Sequence, residues 1–249
     1  MKYIKRILLA TLVSLPLAGF AEDAMTNTTW ESSLALGATY KDGNTEKSFF
    51  TMTLKGDRFS PENDWLNNLY SEYGKTEGAQ TEGQVRGQSE YRHKFGGGNF
   101  FSGVFGEAYY NDMKNIRTRL KLGPNIGYYF INKETMKFDL GTGINWVYER
   151  TATTEDDFAE VRVAANYLWD FTETASYYFN IEYSANVEDT NDGNGLLVTG
   201  LKTKVSTQVS MFLEVRDEYD NTPAVVDAGT GDNADYNDIT VIAGLTYDF

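Results

Sequence analysis

Apolar and polar residues alternate along most of this chain. In 116–130, Ile116, Leu120, Leu122, Ile126, Tyr128 and Phe130 share one parity, and Arg117, Arg119, Lys121 and Asn125 the other. Residues 136–149 repeat the pattern, with Met136, Phe138, Leu140, Ile144, Trp146 and Tyr148 opposite Lys137, Asp139, Asn145 and Glu149. In 158–171, Val161, Val163, Ala165, Tyr167 and Trp169 oppose Glu160, Arg162 and Asn166. In 175–187, Tyr177, Phe179, Ile181 and Tyr183 oppose Asn180 and Glu182, and Ile239 to Phe249 closes the chain in the same way. A period of two places successive side chains on opposite faces of a strand. Weaker versions fill 29–40, 47–57, 64–74, 84–95 and 208–217. Residues 99–110 carry aromatics on both parities, and 195–205 holds the adjacent pair Leu196 and Leu197, so neither stretch has a readable facing. The pattern predicts twelve strands. Pro124 falls inside the cleanest one, where it removes a ladder hydrogen bond, and a local bulge is expected there.

The connections alternate too. Links at 58–63, 95–99, 131–135, 170–174 and 206–207 are short, whereas 41–46, 75–83, 111–115, 150–157, 188–194 and 218–237 are on average longer and mostly acidic. An even number of strands, with short turns at one end and long loops at the other, is expected of an outer-membrane barrel. A soluble sandwich also alternates, so three further features decide between them. The strands are longer than the usual ~5–6 residues and suit a tilted membrane span. Aromatics gather at strand ends, with Trp30, Trp65, Phe95, Trp169 and Tyr247 at the short-turn end and Tyr40, Tyr73, Trp146, Tyr148 and Tyr219 at the other. The last residue, Phe249, is an aromatic in register with the apolar face, the kind of assembly signal that the barrel-assembly machinery reads. Hydrocarbon cannot satisfy an open sheet edge, so such a sheet must close. The expectation is all-β: a transmembrane antiparallel β-barrel of about twelve strands over residues 22–249.

Residues 1–21 have the form of a cleaved secretory signal. Lys2, Lys5 and Arg6 precede an apolar run from Ile7 to Leu17, and Gly19 and Ala21 stand at −3 and −1 of a cleavage site. That run is short of the ~20 residues a spanning helix needs. The 249 residues carry 22 Lys+Arg against 36 Asp+Glu, a formal charge of −14 that argues against nucleic acid. Zero Cys removes disulfides, thiol catalysis and zinc–thiolate sites, and a single His removes a multi-His metal centre. No cofactor is expected.

Trp30 followed by Leu34-Ala-Leu-Gly37 and then Asp42-Gly43-Asn44-Thr45 resembles the opening motif of the salt-induced outer-membrane proteins, a bacterial family of uncharacterised function. Gly123-Pro-Asn-Ile-Gly127-Tyr128, Tyr148-Glu149-Arg150 and the Glu218-Tyr219-Asp220-Asn221-Thr222-Pro223 segment fit the same pattern. The resemblance implies an outer-membrane location and expression linked to salt, and it supplies no catalytic residues.

In a barrel the polar parity points inward. The candidate lumen-lining residues are Arg86, Arg92, Arg117, Arg119, Lys121, Glu149, Glu160, Arg162 and Glu182. They either line a narrow channel with a positive wall or pair across the lumen and fill it. His93 is the sole candidate base for a lipid-acting enzyme, and the nearest serine on its face, Ser89, lies about 13 Å away along a strand. Asp189-Thr-Asn-Asp192-Gly-Asn-Gly195 lacks the spacing of a calcium loop and reads as a polar hairpin turn. The acidic loops, the last of them holding Asp227, Asp232 and Asp235, are candidates for weak divalent-cation binding against lipopolysaccharide. Three functions follow, in order: a narrow porin-like conduit for small solutes or ions, a non-conducting structural or surface-interaction barrel, and a lipid-acting enzyme.

Overall fold

The computed structural model describes residues 28–42, 47–76, 79–112, 114–222, 225–227, 232–233 and 236–249. The expected signal segment and the Gly43-Asn44-Thr45 part of the opening motif lie outside the described residues. In chain order the strands are β1 (Thr29–Asp42), β2 (Lys47–Phe59), β3 (Asn63–Thr76), β4 (Ala79–Phe95), β5 (Phe100–Asn111) and β6 (Ile116–Lys133). They continue as β7 (Met136–Thr151), β8 (Glu155–Asp170), β9 (Ala175–Asn186), β10 (Gly193–Lys204), β11 (Val209–Asp220), β12 (Val225–Asp227), β13 (Asp232–Asn233) and β14 (Asn237–Asp248). Twelve of them close into one antiparallel barrel, with β14 pairing β11 on one side and β1 on the other; β12 and β13 form a separate two-stranded ribbon.

The alternation is inside-out relative to a soluble protein. On β6, Leu122 and Ile126 are 58% and 61% exposed, while Lys121 and Asn125 between them are 6% and 4% exposed. The apolar parity therefore faces outward, as the pattern predicts. Outward aromatics near the short turns touch in series: Phe95 to Phe100, Tyr128, Phe130, Phe138, Tyr167 and Tyr177. Trp30 meets Trp65 and Tyr247 meets Phe249 on the same girdle. Such a ring suits an interface between hydrocarbon and water. Phe249 is 57% exposed, and its backbone N–H donates to the Ser32 carbonyl at 3.0 Å.

The strands differ from the sequence reading in length. β4 has 17 residues and β6 has 18, well beyond the ~9–11 that a tilted span requires. The expected loop 75–83 is mostly ladder, since β3 runs to Thr76 and β4 starts at Ala79. Likewise β7 reaches Thr151 and β8 begins at Glu155, inside the expected loop 150–157.

Both unassigned stretches now have a facing. On β5, Phe101, Phe105 and Glu107 are buried and point inward, while Phe100 and Val104 are exposed. On β10, Leu196 and Val198 border an interior cavity, and Leu201 is exposed.

Pro124 makes no bulge. It pairs with Val104 in unbroken register, and the β6–β7 register is the same at Leu122–Trp146 as at Asn125–Gly143. The two backbones come close here, because a Cβ on Gly143 would lie 2.6 Å from the Pro124 carbonyl oxygen. β6 shifts register elsewhere, between Ile116 and Thr118 and between Tyr129 and Ile131. The first shift adds a residue and reverses the parity, so Ile116 is buried and Arg117 is exposed.

Closure rests on small residues. Gly37 of β1 pairs with Gly244 of β14. A Cβ on Gly244 would lie 2.8 Å from both the Gly37 Cα and the Phe212 ring, and closer still to the Leu36 carbonyl. A Cβ on Gly37 would lie 2.5 Å from the Ile242 side chain. Gly37, singled out as a motif residue, is thus where the closing strand and the Phe212 ring fit against β1.

Candidate functional site

The inward parity of β3 to β9 carries charge, and burial forces those charges to pair. An ion removed from water costs several kcal/mol unless a partner and further hydrogen bonds compensate it. Arg86 lies 2.7 Å from Glu107 and 3.2 Å from Glu182. Arg162 lies 2.7 Å from the same Glu182 and 4.0 Å from Glu90. Lys121 meets Glu160 at 2.8 Å, and Arg119 pairs with Glu149. Arg92 lies 2.6 Å from Glu90 and 3.2 Å from Asp139. The Arg86–Glu182 bond joins β4 to β9, which are not neighbours in the sheet, so the network crosses the barrel.

Six of the nine candidates join one network through Glu90 and Glu107, with Lys121 4.0 Å from Glu107, and Arg119 and Glu149 form a separate interior pair. Arg117 is the exception: it pairs with Asp112 at 2.7 Å, its side chain is 47% exposed, and the bulge carries it off the inward parity. Glu90 and Glu107 belong to the same network and were not among the candidates. Glu90 shares parity with Arg86 and Arg92, a usable signal, whereas Glu107 sits on the strand whose facing the pattern left open. Interior aromatics serve as shelves for the guanidinium groups, which lie 4.4 Å over Phe101 for Arg92, 3.9 Å over Phe105 for Arg162 and 4.0 Å over Tyr70 for Arg216.

At the loop end a second set of contacts spans the mouth. Lys114, on the β5–β6 turn, reaches Glu218 of β11 on the far side of the barrel at 3.4 Å. Gln84 donates to Glu72 at 2.8 Å and to Glu218 at 3.5 Å, and the Tyr70 hydroxyl donates to Glu72 at 2.9 Å. Burial works against the Lys114 ammonium, but Glu218 outweighs it and holds the group above the ordinary lysine range.

Below this layer lies an interior cavity of about 230 Å³ between β2–β5 and β8–β11. Lys55, Arg92, Arg162 and Arg216 line it, and so do Asp57, Glu90, Glu182 and Glu214, so the charges balance four against four. Asn68, Gln88, Asn166 and Asn180 add carboxamides. A larger hollow of about 460 Å³ lies on the outside of the β1–β14 seam, among Leu34, Leu36, Ala38, Phe50 and Leu245, away from the charged interior.

Residues 34–249 match the family described as "Protein of unknown function, DUF481". The chain belongs to the DUF481 family. Among solved structures, this DUF481 barrel is similar to the NanC porin, with 11% identity, a TM-score of 0.59 and coverage of 87% of this chain and 100% of that one. It is also similar to the KdgM porin in complex with disordered oligogalacturonate, with 10% identity, a TM-score of 0.51 and coverage of 87% and 99%. These likenesses are of fold. No curated protein matches the DUF481 chain in sequence.

The remaining candidates of the DUF481 chain stay apart. His93 is exposed on the outer face and contacts the Asn63 side-chain oxygen at 2.9 Å. Ser89 accepts from the Trp65 indole at 2.9 Å and donates to Asn67 at 2.8 Å, so no hydrogen bond joins it to His93. The Asp189 loop is a self-bonded turn, with Asp189 accepting from the Asn191 backbone at 3.0 Å. Among the described residues no group of three or more His, Asp or Glu is placed to hold a metal ion. The side chains of Asp227, Asp232 and Asp235 lie outside the described residues.

Proposed function

We propose that this barrel sits in a bacterial outer membrane and acts as a narrow, porin-like channel for small solutes or ions. The observation that carries this reading is the polar cavity inside the closed barrel. A filled interior of well-packed apolar residues is often as stable as buried ion pairs, or more so. A barrel that keeps a charged, amide-lined hollow therefore keeps it for passage. The apolar outer band, the aromatic girdle and the fold shared with porins support placement in lipid. Residues 1–21 direct export, and Phe249 presents the last strand to the barrel-assembly machinery. The acidic loops face outward toward lipopolysaccharide and its bridging divalent cations. The link to salt or osmotic response comes from the motif resemblance. His93 is structural in this reading, and the protein carries no catalytic step.

A second reading has its own observation. The cross-barrel ion pairs and the Lys114–Glu218 contact describe a barrel closed at its loop end, which suits a non-conducting structural role. Single-channel recording of the refolded protein in planar bilayers separates the two, with a heat-shifted gel band as proof of folding. Small discrete current steps are the expected result. A folded barrel that stays electrically silent overturns the channel and leaves the structural reading.

A further inference from the structure

The charges around the interior cavity are already engaged. Arg92 is held by Glu90 and Asp139, Arg162 by Glu182, and Arg216 by Glu218 at 3.4 Å while it lies on the Tyr70 ring. Glu214 accepts the Tyr178 hydroxyl at 2.8 Å. Lys55 and Asp57 stand two residues apart on the inward parity of β2, which puts opposite charges side by side at one rim. A solute with net charge of either sign meets as many repelling groups as attracting ones.

What remains open is amide. The Asn68 side-chain oxygen is buried and accepts no hydrogen bond. Asn166 gives its amide nitrogen to Asp139 at 2.9 Å and leaves its oxygen for another donor. Asn180, half-buried and paired with Asn166 across from Asn68, has no side-chain hydrogen bond among the described residues. Together these groups offer acceptors to incoming hydroxyls, and Asn180 offers a donor as well. Leu196 and Val198, on the strand beside Asn180, supply an apolar strip suited to the C–H face of a carbon chain or ring. At about 230 Å³ the cavity falls below the ~300–1,000 Å³ range of drug-sized ligand sites, which confines the occupant to about one sugar unit.

We propose that this cavity is a binding station for small, neutral, polyhydroxylated solutes, namely polyols and single sugars. It rests on the channel reading for the route of access, and the binding itself stands apart from conduction. Hydroxyls of the solute donate to Asn68 and Asn166 and accept from Asn180, and the balanced charges exclude ions of comparable size.

The test is saturation-transfer NMR on the refolded barrel in detergent, using sorbitol and glucose as probes and sulfate and choline as charged competitors. The expected result is saturable transfer to sorbitol or glucose that neither ion displaces. Asn180→Leu weakens it at least tenfold while the heat-shifted gel band is kept. Asn68→Leu does the same, and if that variant fails to fold, Asn180→Leu alone decides, since the Asn180 side chain has no hydrogen bond among the described residues. Absence of saturable transfer in a folded barrel overturns the site, as does displacement by sulfate or choline, or unchanged binding in Asn180→Leu. Conductance measured on the same preparation keeps the two readings distinct. Saturable binding to a silent barrel overturns the channel and leaves the site, and conduction without saturable binding does the reverse.

Discussion

The two sides of the barrel are built on opposite terms. From β4 to β9 the inward residues are large and charged, among them Arg92, Glu107, Lys121, Asp139, Glu160 and Arg162, all buried. From β14 through β1 to β2 most are small or uncharged, such as Gly37, Thr51, Thr240, Ile242, Gly244 and Thr246, with Lys55, Asp57 and Asp248 as charged exceptions toward the short-turn end. The charged side holds its shape by directional bonds that reach across the interior. The small side holds its shape by close approach of backbone, with glycine where the strands and the Phe212 ring crowd together. A barrel of this kind needs both, because one wall must yield room for what the other projects.

That contrast can be broken most severely at the seam. Gly244→Val drives a branched side chain into the Leu36 carbonyl and the Phe212 ring, and backbone cannot move aside as a flexible side chain does. We expect a loss of more than about 4 kcal/mol, read as disappearance of the heat-shifted band. On the charged side, Glu182→Gln weakens the pairing of both Arg86 and Arg162 and should cost up to about 3–5 kcal/mol in urea unfolding from lipid vesicles. Replacing Arg162 and Glu182 together by Met and Leu should cost less than the single change, since no stranded charge remains.

Lys114→Ala sharpens the contrast at the mouth. It removes the contact with Glu218 and should raise single-channel conductance, with a stability loss below about 1 kcal/mol because the lysine side chain is 30% exposed. The pH dependence has a definite sign. A lysine raised by its partner contributes fully below the ordinary lysine value, about 10.4, and the contribution fades only as pH rises through the higher folded value. Conductance of the unaltered barrel should therefore show no opening from this contact between about pH 6 and 10. The smallest effect belongs to Arg117→Ala, which should leave conductance unchanged and stability within about 1 kcal/mol, whereas Arg119→Ala alters conductance. Equal effects of the two would contradict the reversal of parity at the bulge.

The strands were legible because an outward apolar parity is strong wherever one face is apolar. It weakens where both faces turn polar, so the outer reaches of β3 and β4 read as a loop although their ladder continues to Thr76 and Ala79. It also fails where the interior is aromatic or apolar, as at Phe101, Phe105, Leu196 and Val198. Arg117 was misplaced because counting by twos carries no information about an inserted residue. Charge on the inward face was readable, but its pairing was not. Arg86 and Glu182 are 96 positions apart, and nothing short of the closed barrel brings them within reach. The cavity and its open amides were likewise invisible, since they depend on which side chains fail to find partners.

The Gly37–Gly244 seam also bears on how the chain reaches its final form. Every other pairing in the barrel joins strands that follow one another along the chain, apart from the small β12–β13 ribbon between β11 and β14. Those ladders can grow by successive hairpins, each closing a short loop. The pairing of β1 with β14 joins the two ends of the ladder and carries the largest loop-closure entropy in the molecule. Until β14 is in place, the other eleven strands form a curled ribbon with a bare edge on each side, so whatever engages the last strand governs the slowest step of assembly.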